Sequence, residues 1–157
     1  MSPRATVLHA DDSEDDRQLL DYAVRKGESP FDLQSVEDGQ MAADYLGGAG
    51  EFRDRNRFPL PVLLLLDIKM PRMTGFDVLA WLSEQSSLKN LPVAILSSSY
   101  DDADVKRTYA LGAKWYLMKP LDYDDVKRLV ALIGAWVSDP KTNDLSKSPY
   151  FKSKPAS

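Results

Sequence analysis

Three aspartates stand directly after two apolar segments of this 157-residue sequence. Asp11 and Asp12 follow the apolar run 6–10, and Asp67 follows an unbroken aliphatic run, residues 62–66. Carboxylates gathered in one place repel one another, and a hard divalent cation with oxygen ligands removes that conflict. Mg²⁺ suits a site with few carboxylates better than Ca²⁺, which takes more protein ligands. The side chains therefore predict a magnesium site, provided that both segments end at the same edge of a sheet.

Each of these acids also has a simpler interpretation. Acidic residues before a helix often serve as its cap, but Ser13 already supplies an N-cap, so Asp11 and Asp12 need another explanation. Asp67 lies beside the most apolar segment of the chain, where an ionised carboxylate without a cation is costly. His9 is expected to be a hydrogen-bonded core residue and not a ligand, because it lies on a buried strand.

The elements that would position these residues alternate along the chain. Short apolar runs predict strands at 6–10, 31–36, 62–66, 93–96 and 115–118. Helical spacing and capping residues predict helices at 13–27, 38–46, 75–84, 101–111 and 123–137. This alternation predicts an α/β fold, a doubly wound (βα)5 sheet of five parallel strands, and ligands bind such sheets outside the carboxyl ends of the strands.

Two more strand ends carry side chains that can do chemistry. Ser97 follows the fourth predicted strand, and Lys119 and Pro120 follow the fifth. Alone, each is ordinary, because serine is common in turns and lysine is usually solvated. Together with the acids they place a hydroxyl and an ammonium group at the edge where the carboxylates are expected.

The amino-acid composition excludes several classes of protein and of binding partner. With 43% hydrophobic residues the chain can bury one core, and a formal charge of -4 leaves no bulk basic surface for DNA. The absence of cysteine excludes disulfides, thiolate metal sites and cysteine nucleophiles, and fits a cytoplasmic protein. The longest apolar run has five residues, so neither a signal peptide nor a membrane span is expected.

Two segments fall outside the alternating pattern. The loop 47–61 is long and carries three arginines, and the tail 138–157 is rich in Ser, Lys and Pro. We expect the tail to be extended or loosely docked. The predicted organisation is one domain at 1–137 and a C-terminal extension at 138–157, with no separate output domain.

The motifs together resemble the receiver domains of two-component response regulators, over about residues 6–137. The resemblance rests on Asp11-Asp12, Asp67 within Leu-Asp-Ile-Lys-Met-Pro, Gly75, Ser97 and Lys119-Pro120. It implies a flavodoxin-like receiver fold. It also implies that the protein is a phosphoacceptor, whose only catalysis is its own phosphotransfer and dephosphorylation.

The resemblance assigns a role to each matching residue. Asp67 would be the nucleophile that accepts a phosphoryl group from a sensor histidine kinase. Mg²⁺ would be held by Asp11, Asp12, Asp67 and the main-chain carbonyl of Lys69. Lys119 would pair with one phosphoryl oxygen.

The resemblance also implies a switch. Ser97 would hydrogen-bond a second phosphoryl oxygen, and Tyr116 matches the position whose ring turns inward with that movement. Ser97 departs from the family, which more often has threonine there, and serine lacks the methyl group that restricts the rotamer. Lys69 lies beside the approach to the phosphoryl group, and we hypothesise that its side chain affects the lifetime of the phosphate.

A narrower resemblance is to the stand-alone regulators paired with bacterial and cyanobacterial phytochromes. It rests on the long loop, the segment 104–113 and the C-terminal extension, and it implies a phytochrome kinase and a homodimer through helix 4, strand 5 and helix 5. The aromatic and aliphatic residues that could form such a dimer are Tyr109, Trp115, Leu132 and Trp136. Their alternative role is to complete the core or pack under the tail.

Three other functions share features with this sequence. A Mg²⁺-dependent phosphatase of the haloacid dehalogenase type uses a similar aspartate, but its general acid would stand where this chain has Lys69. A flavin- or nucleotide-binding module would need a phosphate-cradling loop after the first strand, where this chain has Asp11, Asp12 and further acids. A receiver-like module that is not phosphorylated typically loses an acid or the lysine, and none is missing here.

Overall fold

The strands form one six-stranded sheet. The computed structural model describes residues 4–156, so the outer limits of the predicted boundaries, 1 and 157, lie outside the described residues. The strands are β1 (Ala5–Ala10), β2 (Phe31–Val36), β3 (Leu63–Leu66), β4 (Val93–Ser97), β5 (Trp115–Met118) and β6 (Phe151–Lys152). Their order is β2-β1-β3-β4-β5-β6, with the first five parallel and β6 antiparallel to β5.

Five α-helices within residues 4–156 cover the two faces of the sheet. They are α1 (Glu14–Lys26), α2 (Gly39–Gly47), α3 (Gly75–Ser83), α4 (Asp102–Ala110) and α5 (Tyr123–Ser138). Helices α1 and α5 enclose one core, and α2, α3 and α4 enclose the other. Within residues 4–156, no helix combines the length and apolar character that a membrane span requires. The predicted doubly wound α/β fold is confirmed.

Strand β3 shows why an aliphatic run without alternation belongs at the centre of such a sheet. Leu64 and Leu66 pack into the core under α2, α3 and α4, while Leu63 and Leu65 pack into the core under α1 and α5. All four are at most 1% exposed. Because successive side chains point to opposite faces, a strand buried on both sides must be apolar at every position.

The C-terminal segment corrects two expectations. It is not loosely docked: Leu145 begins a short 3-10 helix and is fully buried, and Phe151 and Lys152 add β6 to the outer edge of β5. The sheet therefore has a sixth, antiparallel strand beside the five parallel strands that the sequence predicts. A single buried residue such as Leu145 produces no periodic apolar pattern, so the polar sequence of the tail does not predict that it is docked.

The tail gives several of the aromatic residues a role within the chain. Trp115 and Trp136 pack edge to face at 5.5 Å in the core that contains Leu145, and the Trp115 indole donates to Asp144 at 2.8 Å. The Tyr109 hydroxyl donates to the carbonyl of Lys152 at 2.6 Å. These aromatic side chains pack against the chain's own C-terminal segment.

The long loop after α2 is ordered by one arginine. The Arg55 guanidinium donates to the carbonyls of Tyr45, Leu46 and Phe58 at 2.8–3.2 Å. Tyr45 and Phe58 also pack with Phe52 in an aromatic cluster. Arg55 thus supplies donors to carbonyls at the C-terminal end of α2, a structural role.

Candidate functional site

The carboxyl ends of β1 and β3 bring three aspartates together. Because Ala10 pairs with Leu66 in the parallel register, the residues that follow them lie side by side. Oxygen atoms of Asp11, Asp12 and Asp67 all lie within 4.8 Å of one another. Asp11 and Asp67 are buried and Asp12 is exposed, so the cluster opens to solvent on one side.

Lys119, at the end of β5, reaches into this cluster. Its ammonium nitrogen lies 2.8 Å from Asp11 Oδ2, 2.8 Å from Asp16 Oδ2 and 3.0 Å from Asp67 Oδ2. Burial alone would lower the pKa of Lys119, but these carboxylates raise it, so the lysine stays charged. The Lys119 ammonium group therefore forms ion pairs with three carboxylates.

The two buried carboxylates differ in their ease of ionisation. Burial, together with the charge of Asp11, raises the pKa of Asp67 above its ordinary value, although Lys119 opposes the shift. Burial alone would raise the pKa of Asp11, but His9, Lys119 and the Ser13 amide hold it well below its usual range. A further cation beside Asp67 would favour its ionised, nucleophilic form.

The backbone after β3 fixes the orientation of the Asp67 side chain. Its Oδ1 accepts hydrogen bonds from the amides of Ile68 at 2.7 Å and Lys69 at 3.4 Å, while Oδ2 faces Lys119. A Cβ on Gly75 would come within 2.4 Å of the Asp67 carbonyl, so only glycine fits at this start of α3. Both carboxylate oxygens are thereby held in place.

The donor set fits a hard divalent cation. Three carboxylates on one side of an open cluster are the oxygen ligands that such ions prefer, and they exceed what the single ammonium of Lys119 neutralises. The remaining predicted ligand is a backbone carbonyl, that of Lys69, in the loop that follows Asp67. The Lys69 side chain itself is exposed.

Ser97 and Tyr116 lie on neighbouring strands beside this site. Ser97 is buried at the end of β4, and its carbonyl accepts from the Lys119 amide at 2.9 Å. Its hydroxyl oxygen accepts from the Ser99 amide at 3.2 Å. The Tyr116 ring is fully buried, and its hydroxyl donates to the Ser99 carbonyl at 3.0 Å. The structure thus shows the inward arrangement of the tyrosine.

Two residues near the site differ from the sequence analysis. Asp16, which the sequence analysis does not single out, contacts Lys119. Its position one turn after Asp12 was the signal, because that turn faces the strand end. The expected hydrogen bonds of His9 are absent: neither ring nitrogen has a partner among residues 4–156, and Nε2 lies 3.6 Å from Asp11 Oδ2.

Comparison with known proteins places this arrangement in a family. The family profile described as response regulator receiver domain matches residues 7–131. The chain belongs to the response regulator receiver family. The receiver is 35% identical over 148 residues to the Two-component response regulator ARR15 of Arabidopsis thaliana, covering 92% of this chain and 71% of that protein.

Two further proteins resemble the receiver over most of its length. Response regulator Rcp1 of Synechocystis is 30% identical over 129 residues, covering 82% of this chain and 86% of Rcp1. The solved structure of the phosphorylated cyanobacterial phytochrome response regulator RcpA superposes with a TM-score of 0.79 at 27% identity, covering 90% of this chain and 99% of RcpA. A structure of Rcp1 is described as the Mn²⁺-bound form. A protein similar to this chain therefore binds a divalent metal.

Proposed function

We propose that this receiver accepts a phosphoryl group on Asp67 from a sensor histidine kinase, with Mg²⁺ at the acidic cluster, and signals by changing its contacts with a partner. The observation that carries the proposal is the placement of Asp67 against both Lys119 and two further carboxylates. The proposed site of action is the cytoplasm. No DNA partner is proposed.

The chain's own residues have distinct parts in the proposed transfer. An Asp67 oxygen attacks phosphorus, the new O–P bond forms as the P–N bond to the kinase histidine breaks, and the imidazole leaves. The Ile68 amide and Lys119 hold the carboxylate for that attack. Mg²⁺ on Asp11, Asp12, Asp67 and the Lys69 carbonyl would neutralise charge on the transferring group.

The phosphoryl group would then gain two partners. Lys119 pairs with one oxygen, and the Ser97 hydroxyl leaves the Ser99 amide to bond a second. The Ser99 carbonyl accepts a hydrogen bond from the Tyr116 hydroxyl, so movement of the segment after β4 would also move the Tyr116 side chain. The local change in charge thereby reaches the surface formed by α4, β5 and α5.

A phytochrome is the proposed kinase. The support is the likeness to RcpA and Rcp1, since RcpA is described as a phytochrome response regulator. The test is incubation of the native chain and Asp67→Asn with purified histidine kinases, including a phytochrome, in ATP and Mg²⁺. We expect transfer to the native chain alone; transfer to both, or from no kinase, would contradict the proposal.

The receiver is proposed to be a phosphoacceptor and not an enzyme that turns over other substrates. A phosphatase would need a general acid where exposed Lys69 stands. Assay with a generic phosphate ester is the test, and we expect no hydrolysis above an Asp67→Asn control. Turnover that depends on Asp67 would instead support the phosphatase alternative.

A further inference from the structure

The loop between β3 and α3 contains a strained residue that is not glycine. Arg72 has φ +67°, and around it the Met73 amide donates to the Pro71 carbonyl at 2.8 Å. This three-residue turn with a positive central φ is rare and strained, and glycine adopts it more easily than any other residue. Such a conformation persists only where surrounding contacts hold it. The arginine side chain should therefore contribute a contact that glycine cannot.

That contact is an ion pair to a buried carboxylate. Both Nε and a terminal nitrogen of Arg72 donate to Asp38 Oδ2, the first at 3.1 Å. The Asp38 side chain is 4% exposed, and its other oxygen, Oδ1, accepts from the Met41 amide at 2.8 Å. Asp38 thus divides its oxygens between capping α2 and holding Arg72.

A second contact joins the same loop to the same helix. A Cβ on Gly39 would come within 2.0 Å of the Met73 carbonyl, so α2 and the loop touch through backbone. Arg72 and Met73 therefore both rest on the first residues of α2. The loop is held at this end by α2 and at the other end by buried Ile68 and Met70.

We propose that the Arg72–Asp38 ion pair is a positioning device that holds the β3–α3 loop, and with it the Lys69 carbonyl, in the geometry that the divalent cation needs. This inference rests on the proposed function. Arg72 itself is exposed and touches neither Asp67 nor Lys119 by any ion pair within residues 4–156. It would act only through the loop.

The sign of one substitution separates positioning from electrostatics. Arg72→Ala removes a positive charge, so a purely through-space effect would tighten Mg²⁺ binding. Loss of positioning would weaken it, and we expect a three- to tenfold higher dissociation constant by calorimetry. Arg72→Gly relieves the backbone strain but also loses the pair, and should weaken Mg²⁺ binding at least as much. Arg72→Lys keeps the charge without the two-donor contact and should fall between.

A matched control and a metal-free readout complete the experiment. Arg25 pairs with Asp21 on the surface of α1, so Arg25→Ala makes the same charge change and should alter Mg²⁺ affinity less than twofold. Without Mg²⁺, amide hydrogen exchange in residues 69–73 should quicken in Arg72→Ala and not in Arg25→Ala. A merely structural role would lower the melting temperature without changing either readout.

The possible results distinguish failure of the positioning role from failure of the proposed function. Phosphorylation of Arg72→Ala by acetyl phosphate should be slow at low Mg²⁺ and approach the native rate at saturation. Unchanged or tighter Mg²⁺ binding in Arg72→Ala, while the native chain binds Mg²⁺ and is phosphorylated, overturns the positioning role alone. Failure of the native chain to bind Mg²⁺ overturns the proposed function, and this inference with it.

Discussion

At the scale of single residues, the site places one ammonium group among carboxylates that it cannot fully neutralise. Lys119 contacts Asp11, Asp16 and Asp67, and Asp12 lies beside them. The sequence predicted four of these residues, because each ends or follows an apolar strand. Asp16 follows no strand, so its only signal is its position one helical turn after Asp12, and its contact with Lys119 depends on how α1 starts relative to β5.

Substitution of Lys119 should lower the stability of the protein and raise its affinity for Mg²⁺. In Lys119→Ala the carboxylates lose the ammonium group that contacts them, so without Mg²⁺ the free energy of unfolding should fall by about 3 kcal/mol. Mg²⁺ should bind more tightly, because no ammonium competes for the oxygens, while phosphorylation slows. Chemical unfolding and calorimetry measure both changes, with exposed Lys106→Ala as control. Weaker Mg²⁺ binding in Lys119→Ala would contradict this description.

The lifetime of the proposed phosphate on Asp67 should depend on the side chain of Lys69. Lys69 is exposed and lies two residues after Asp67, and we hypothesise that its side chain covers the phosphoryl group. We expect the phosphate of Lys69→Ala to decay a few times faster than that of the native protein, because water reaches it more easily. Decay is followed after removal of the phosphodonor, with exposed Lys89→Ala as control. Equal rates would dispose of the idea.

At the scale of elements, the five parallel strands were predictable and the sixth was not. A short aliphatic run without alternation, such as Leu63–Leu66 between turn residues, favours a strand buried on both faces. Strand β6 has two residues and pairs with β5 because Leu145 and Asp144 anchor the chain before it. The contacts of Leu145 and Asp144 depend on the folded surface that these residues cover, and a local sequence pattern does not reveal that surface.

One leucine tests how firmly the tail is anchored. Leu145→Ala leaves a cavity beside Trp115 and Trp136, and should lower the free energy of unfolding by about 2–4 kcal/mol. Tryptophan fluorescence should shift as the indoles become more hydrated. Leu121 is 84% exposed, so Leu121→Ala should change stability by less than about 0.5 kcal/mol. Equal stabilities for the two variants would mean that the tail is not docked in solution.

At the scale of the whole molecule, the chemistry lies at one edge of the sheet and the tail at its outer side. The Tyr109 hydroxyl joins them, because it accepts from the Tyr116 amide at 3.1 Å and donates to the Lys152 carbonyl. The tail therefore contacts the strand that carries Tyr116 and Lys119. The aromatic residues that suggested a dimer are used within the chain.

A homodimer through α4, β5 and α5 stays a prediction that rests on resemblance. Sedimentation velocity over a range of concentrations, with and without Mg²⁺ and beryllium fluoride, tests it. The prediction requires a concentration-dependent dimer that Lys106→Glu weakens, since Lys106 is exposed on α4. A monomer under every condition would exclude the dimer and leave the phosphoacceptor role intact.

The most direct test of the central claim is chemical identification of the acceptor. After treatment with acetyl phosphate and Mg²⁺, borohydride reduces an aspartyl phosphate to homoserine, which peptide mass spectrometry locates. We expect homoserine at position 67, and none in Asp67→Asn or without Mg²⁺. Modification at Asp11, Asp12 or a serine instead, or no modification of the native chain, would contradict it.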